Sequence, residues 1–475
     1  MVYKNLKFLL FLFVSNISFG QVDNMLFLMD NVPSSRNVNI AAYNDSTKFH
    51  FAFPIISGIQ ASLNSDFKYD DIIKIRPTDG SKFLDPNSFI GSLRKRSHIQ
   101  INAKINLVRF GFRFKDGYVN FSVDENMNAD LGIDRGVFQF LIYGNKTYEN
   151  NQGIGSLTSN FSHTREFSIS YAKKVEIKNH IFDVGIKPKI YFGLGNFEST
   201  NTINYRNDQN FSSIGFDLRG SGNISAPIDI VSGQKIDLNE FEITSNLESS
   251  YISNSKNKGF GFDIGASYEY DLGRKIYNIR RNNDVVFDRA RKVKVDFSIV
   301  DIGRINWKSN SKSINYNLSY QFNGFDLTNH IDSISEGYDF YENFIQNELD
   351  SLELDNSLSI EDQEKYSTGL KPKFYLNSSF FFSDKLSVGL LMNSSNYGFF
   401  KHMNVTLHSS FRLNEIIRLT ASLSRGNKIG LGLSLKGGPF QFYILSDNFF
   451  DTFDMISNPY EVKNANLHFG TNFIF

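Results

Sequence analysis

The chain has 475 residues, with 50 basic and 50 acidic side chains, so it lacks the basic surplus that a nucleic-acid partner demands. It contains no cysteine, which excludes a disulfide framework, a thiolate metal site and a lipoprotein signal. The 48 Phe and 22 Tyr set against 9 Pro suit a sheet that meets lipid on one face, although a genome-wide compositional bias also inflates aromatics, so periodicity must decide.

Residues 1–20 read as a signal peptide. Lys4 and Lys7 form a short basic start, Phe8 to Val14 is an unbroken apolar run, and Ser18-Phe19-Gly20 presents small residues for cleavage after Gly20. The apolar run is too short for a membrane anchor. The expected mature chain, 21–475, carries 48 basic and 50 acidic side chains and has no apolar run of about 18 residues, so no helix is expected to cross a bilayer.

Residues 66–96 carry Pro77, Pro86 and mixed charge and read as an irregular loop, a candidate plug. VRFGFRF at 108–114 and YVNFSV at 118–123 flank Lys115-Asp116-Gly117, a tight hairpin in which Gly can take positive φ. A short amphipathic helix is expected over 136–143. From 182 to 192, Val184, Ile186 and Ile190 share one face, with Asp183, Lys187 and Lys189 on the other. From 260 to 270 the even positions are apolar or small, while Gly261, Asp263, Gly265, Ser267 and Glu269 fall between them. Val293, Val295 and Phe297 alternate with Lys294 and Asp296, and Ile314 to Phe322 repeats the pattern against Asn and Ser.

Residues 325–369 break the alternation. Between Glu336 and Tyr366, ten acidic residues stand against one basic residue, with apolar side chains at helical spacing. This reads as an acidic, partly helical insertion: an external loop, a periplasmic element or a lumen plug. Period-2 alternation resumes at 403–413, with His402, His408 and Arg412 on the polar face, and continues through 417–423 and 429–435. Ser383-Asp384-Lys385 and Gly426-Asn427 are further tight turns. Leu467 to Phe475 alternates and ends in Phe, with Phe469, Phe473 and Phe475 as a C-terminal barrel-insertion signal.

These segments predict an all-β fold: a transmembrane antiparallel up-and-down β-barrel of about 14 strands, within a range of roughly 12 to 18, with short helical insertions. Closure is required because an open sheet edge cannot survive in hydrocarbon. Asp183, Lys187, Lys189, Asp263, Glu269, Lys294, Asp296, His402, His408 and Arg412 are expected to face the lumen. Either they line a passage or they pair across it and fill it.

Several blocks resemble a family of Bacteroidota outer-membrane proteins defined only as a domain of unknown function. They include VRFGFRFKDGYVNFSV at 108–123, GVFQFLIYGN at 136–145, REFSISYAKKV at 165–175 and FDVGIKPKIYFGLGN at 182–196. FDIGASYEY at 262–270, SIVDIGRINWK at 298–308, YSTGLKPKFYLNSSFFFSD at 366–384, GLGLSLKGGPFQFYILSDN at 430–448 and LHFGTNFIF at 467–475 complete the order. The resemblance spans nearly the whole mature chain and implies a signal-bearing barrel without an assigned substrate. A remoter similarity runs to fatty-acid-channel-like barrels and accessory barrels of the type IX secretion system. Pro188 departs from the pattern, and a bulge is expected there because Pro cannot donate to a ladder.

Motifs of catalysis are missing: the sequence has no G-x-S-x-G, H-E-x-x-H or G-x-x-x-x-G-K-[ST]. The G-x-G pieces at 193–195, 259–261 and 430–432 read as small lumen residues. His402 and His408, roughly 20 Å apart along a strand, cannot share a metal. The expectation is a non-enzymatic barrel without cofactor, assembled by the barrel-insertion machinery into outer-membrane lipid. It would act as a passive or gated channel for a small, hydrophobic ligand. The alternative is a scaffold or accessory subunit of an outer-membrane secretion or surface complex, with the acidic insertion docking a periplasmic or surface protein.

Overall fold

The alternation of lipid-compatible and polar side chains is realised as long strands that curl until the sheet closes. The computed structural model describes the chain apart from residues 1–22, 43–46, 54–56, 76–81, 144–151, 208–213, 227–230, 233–234, 237–255, 275–289, 323–357, 398–399 and 459–460. The expected signal peptide and most of the acidic insertion therefore lie outside the described residues.

Two short strands, β1 (Phe49–Ala52) and β2 (Ile59–Ser65), share one position in the wall. After a small hairpin of β3 (Ile73–Ile75) and β4 (Lys82–Leu84) come β5 (Arg96–Phe114), β6 (Gly117–Asp134), β7 (Gln152–Ile177) and β8 (His180–Asn207). Then follow β9 (Ile214–Ser225), a second small hairpin of β10 (Val231–Ser232) and β11 (Lys235–Ile236), β12 (Lys258–Arg274), β13 (Ala290–Trp307), β14 (Lys312–Phe322), β15 (Leu358–Asp362) and β16 (Tyr366–Gly369). The last third is a plain meander of β17 (Lys373–Phe381), β18 (Leu386–Tyr397), β19 (Phe400–Arg412), β20 (Ile417–Ser424), β21 (Lys428–Gly437), β22 (Phe440–Ser446) and β23 (Asn464–Ile474). The ring β5–β6–β7–β8–β12–β13–β17–β18–β19–β20–β21–β22–β23 is closed by β1 and β2, which pair with both β23 and β5. This is a closed 14-strand antiparallel barrel, as the alternation predicts.

The outward face is that of a membrane barrel. Phe112, Ile169, Val184, Ile186, Phe260 and Leu407 are exposed, whereas Ser168, Ser170, Asp183, Lys187, Thr406 and His408 between such positions are buried. Such a belt gains nothing from water and is solvated by acyl chains, which places the protein in an outer membrane. Phe473 stacks on Phe51 at 4.9 Å, and Phe475 accepts at its carbonyl from Lys48 N–H at 2.7 Å. Phe469 follows the same outward row, in register with Ile59 and Ile444.

One end of the barrel has tight turns: Lys115 takes φ 53° between β5 and β6, and Lys178 takes φ 56° between β7 and β8. The opposite end carries the longer excursions. Residues 66–96 form helical pieces α2 (Tyr69–Ile72) and α3 (Pro86–Ser92), and α4 (Arg135–Tyr143) joins β6 to β7. Phe89, Ile90 and Leu93 of α3 pack with Phe67 and Phe138. The helix α5 (Phe449–Ser457) leaves Phe449, Phe450 and Phe453 exposed at the same end.

The sheet also forks. The lower part of β8 pairs with β12, while its upper part, from Asn196 to Asn207, pairs with β9; β14 and β15 extend that upper sheet. At 28 residues β8 runs to roughly 90 Å, far more than a membrane of about 25 Å needs even when tilted. Asn257 sits fully buried at the fork. Its amide donates to Gly193 O and Ser225 Oγ, both at 3.2 Å, and its Oδ1 accepts from the N–H groups of Lys308 at 2.7 Å and Ser309 at 2.8 Å.

Two expectations are corrected. Pro188 causes no bulge: β8 keeps its register with β12 through Phe262–Pro188, and the outward Pro forfeits only its own ladder donor. The shifts between β7 and β8 fall instead at Gly153/Gly155 and at His163/Thr164, the latter opposite Gly193 and Gly195. The described residues of 66–96 line none of the three lumen cavities and so are not the plug. Of 325–369, only 358–369 are described, and they hold β15 and β16; the expected acidic, partly helical insertion otherwise lies outside the described residues. Among the described residues the lumen is filled by 23–42, which comprise α1 (Asn24–Leu28) and a 3-10 turn at Pro33–Asn37.

Candidate functional site: the lumen and its N-terminal plug

The plug is seated by shape first. Met25, Leu26, Phe27 and Met29 are all buried, and Phe27 stacks on Tyr375 at 4.9 Å. Each such side chain favours docking by roughly 1.5–3 kcal/mol. The wall makes room with glycine: a Cβ on Gly432 would stand 2.5 Å from Met29 Sδ, and one on Gly185 would stand 2.5 Å from the Ile40 carbonyl oxygen. The small residues of the polar face are therefore the mould of the plug.

Polar contacts fix its register. Asp447, just past β22, accepts the Met25 N–H at 2.6 Å. Ser34 receives Arg109 Nη1 at 2.5 Å and lies 2.8 Å from the Tyr443 hydroxyl. Asn37 Oδ1 accepts from Lys187 Nζ at 3.2 Å. Asp23 pairs with Lys373 at 3.1 Å, and Asp30 with Arg418 at 2.6 Å and Lys294 at 3.8 Å. Burial pushes both plug carboxyls up, but the cations facing them outweigh it, Lys373 for Asp23 and Arg418 with Lys294 for Asp30, and hold them below the usual range. Asp447 has a weaker counterweight, the charge of Lys428, set against the like charge of Asp23. Burial pushes it up to about 7, offset only in part by the Met25 N–H.

Beside the plug the wall carries a closed set of ion pairs. Lys189 bridges Asp263 at 2.8 Å and Asp301 at 2.6 Å, with Glu166 at 3.7 Å; Lys187 reaches Glu166 at 3.1 Å. Asp301 adopts φ 63° where β12 and β13 slip register, and its N–H donates to Asp263 Oδ1 at 2.7 Å. Asp124 stands 3.7 Å from Arg109 and 3.9 Å from Lys104.

Of the residues expected in the lumen, Lys187, Lys189 and Asp263 meet in this cluster. Lys294 and Asp296 pair at 3.2 Å in a second group, where His408 Nε2 and Asn377 Oδ1 lie 2.8 Å apart. Glu269 accepts from Lys292 at 2.8 Å. Asp183 is buried on the inner face, Arg412 is half-buried at the turn end, and the side chain of His402 lies outside the described residues. Arg109, Glu166, Asp301, Asp23, Asp30 and Asp447 belong to the site and escape the sequence reading. Arg109 and Glu166 were accessible to it, Arg109 flanked by the outward Val108 and Phe110, and Glu166 in phase with Ser168 and Ser170 against the outward Ile169 and Tyr171.

Two cavities flank the plug. One, of about 190 Å³, is lined by Asp23, Leu26 and Val38 of the plug and by Asn102, Asn128, Lys189 and Trp307 of the wall. The other, of about 70 Å³, touches Phe27 and Asp30 on the plug and Lys294, His408 and Arg418 on the wall. A wider vestibule of about 410 Å³ shares Asn160 and Lys371 with the first and runs along the upper sheet.

Acid–base pairs exist, His98 Nδ1 with Asp66 and His163 Nε2 with Glu125, each at 2.6 Å. Arg94 and Arg165 complete them as ion pairs. Among the described residues, no group of three or more His, Asp or Glu is placed to hold a metal ion.

No match is found among curated proteins. Among solved structures the chain is similar to the P. putida toluene transporter TodX, at 6% identity over 92% of this chain and 91% of that one, with TM-score 0.37. A TodX deltaS2S3 mutant, titled a monoaromatic hydrocarbon channel, aligns at 8% identity over 92% and 91%, with TM-score 0.36. The outer membrane protease OmpT from Escherichia coli aligns at 6% identity over 91% and 98%, with TM-score 0.23. Residues 42–447 match the model of a family described as of unknown function, DUF5723, and the chain belongs to that family.

Proposed function

We propose that this barrel is a gated passage across the outer membrane and that residues 23–42 are its gate. The observation that carries the reading is the position of the plug between two cavities, of about 190 and 70 Å³, inside a closed wall. A segment whose only task was to fill the barrel would be packed on both sides. Here it is held by apolar side chains, by Asp447, by the ion pairs of Asp23 and Asp30 and by the side-chain contacts of Ser34 and Asn37, none of which belongs to the backbone ladder of the wall. Residues 1–20 act in this reading as the export leader, and the loop end faces outward, following the rule that such barrels keep short turns on the periplasmic side. The barrel performs no chemistry. Each of the two acid–base pairs is tied to an arginine, Asp66 to Arg94 and Glu125 to Arg165, which suits a structural role.

Conductance tests the proposal. Full-length protein in a planar bilayer is expected to show low, flickering current, and a chain lacking 23–42 a steady larger one. Silence from both, with no solute uptake by proteoliposomes, would remove the passage.

A further inference from the structure

Resting on that reading, we infer that the solute admitted to the cavity above the plug is an uncharged, polyhydroxylated molecule of the saccharide class. Four side chains on adjacent strands form its wall: Asn126 and Asn128 of β6, with Asn160 and Ser162 of β7. Asn128 stands opposite Ser162 in the ladder, and Asn160 opposite Asp130 one pair further along. Directly opposed residues are about 5 Å apart and diagonal ones about 7–8 Å. None of the four spends its side chain on another protein group. Each amide offers donors and an acceptor, and the hydroxyl offers both.

The charged groups in the same wall are already committed. Asp23 is paired with Lys373, Lys104 with Asp124, Glu166 and Asp301 with Lys189, and Lys371 with Asp130. An ionic solute would have to break one of these pairs, stranding a partner in a poorly hydrated space. An apolar solute would strip water from four amide and hydroxyl groups and return no hydrogen bond, at a cost of about 1–3 kcal/mol for each. A neutral molecule with neighbouring hydroxyls satisfies the grid and disturbs no ion pair.

Trp307 is the only tryptophan of the chain and lines this cavity, so its emission reports on the site. Full-length protein in detergent would be titrated with maltose, cellobiose, maltotriose and N,N′-diacetylchitobiose, and in parallel with toluene and sodium glutamate. The expected result is a saturable change with at least one of the saccharides and none with the other two. Asn128→Leu combined with Asn160→Leu is expected to weaken that binding at least tenfold while the thermal transition stays in place. Should the pair fail to fold, Asn126→Leu alone is read in the same way. The inference is overturned if no saccharide shifts the emission, if toluene or glutamate saturates it, or if the Leu variants bind as the parent does. Ion conductance by the plug-deleted barrel without any saccharide response removes the ligand class alone; absence of both conductance and uptake removes the passage beneath it.

Discussion

Replacing Lys189 by Met tests whether the lumen is held by compensated charge. Lys189 is buried and is shared by Asp263, Asp301 and Glu166, within 2.8, 2.6 and 3.7 Å. Met fills a similar volume, so the substitution removes the charge and little packing. Glu166 keeps Lys187 at 3.1 Å, and Asp301 reaches the cavity, where water can solvate it. Asp263 is fully buried and loses its cation. Breaking a buried pair in this way costs about 3–5 kcal/mol. With unfolding entropy of about 2.1 cal/mol/K per residue, a chain of this length converts that into roughly 3–5 °C. Folded barrels resist SDS until heated, so the midpoint is read from the mobility shift on gels after graded heating. Adding Asp263→Leu to Lys189→Met removes the stranded carboxylate and is expected to restore at least half of the loss. A single variant that shifts at the parent's temperature, or a double variant no better than the single, would refute the reasoning.

Three further outcomes follow from the same geometry. Gly432→Leu drives side-chain atoms into Met29 and is expected to raise conductance severalfold with the strand content unchanged by circular dichroism; unaltered current would count against the plug as gate. Asn257→Ala removes a side chain that satisfies four groups at the fork and is expected to cost about 2–4 kcal/mol, summing roughly 1 kcal/mol for each net hydrogen bond, with faster amide exchange at Ser309 as the specific sign. Asp447 supplies a pH dependence. Its carboxyl is raised from an ordinary 3.8 to about 7 in the plugged barrel, chiefly by burial, so the stability it lends that state is fully present below about pH 4 and is lost as pH rises through about 7. Asp23 and Asp30 are held below their usual range and change only in stronger acid. Open probability is therefore expected to rise from pH 5.5 to pH 8, and Asp447→Asn to flatten that rise; a flat parent, or a variant that still rises, would contradict it.

The barrel was legible because its signal is repeated along the whole chain. Each stretch such as 182–192 states by itself which side chains meet lipid, and closure follows from the absence of any tolerable edge. The face assignments of Lys187, Lys189 and Asp263 could be read in the same way. Their partners could not. Glu166 sits on β7, Asp263 on β12 and Asp301 on β13, and only the ring order brings them together. The slip that turns Asp301 inward leaves no mark in the alternation. The plug escaped for a different reason: 23–42 has neither period, and what it packs against is a set of glycines whose emptiness looks like any small lumen residue until the occupant is known. The acidic stretch drew attention because charge is conspicuous, whereas the segment that fills the lumen is plain.

The fork in β8 has a consequence for how such a chain can change. One strand serves two sheets at different heights, and Asn257 seals the seam where they part. The lower circuit is fixed by its count of strands, since adding or losing one would alter its girth. The upper sheet answers to no such arithmetic. Insertions between β8 and β9, or between β14 and β15, are taken up at the rim without touching the girth below, so the outward collar is free to diversify while the part embedded in lipid stays as it is.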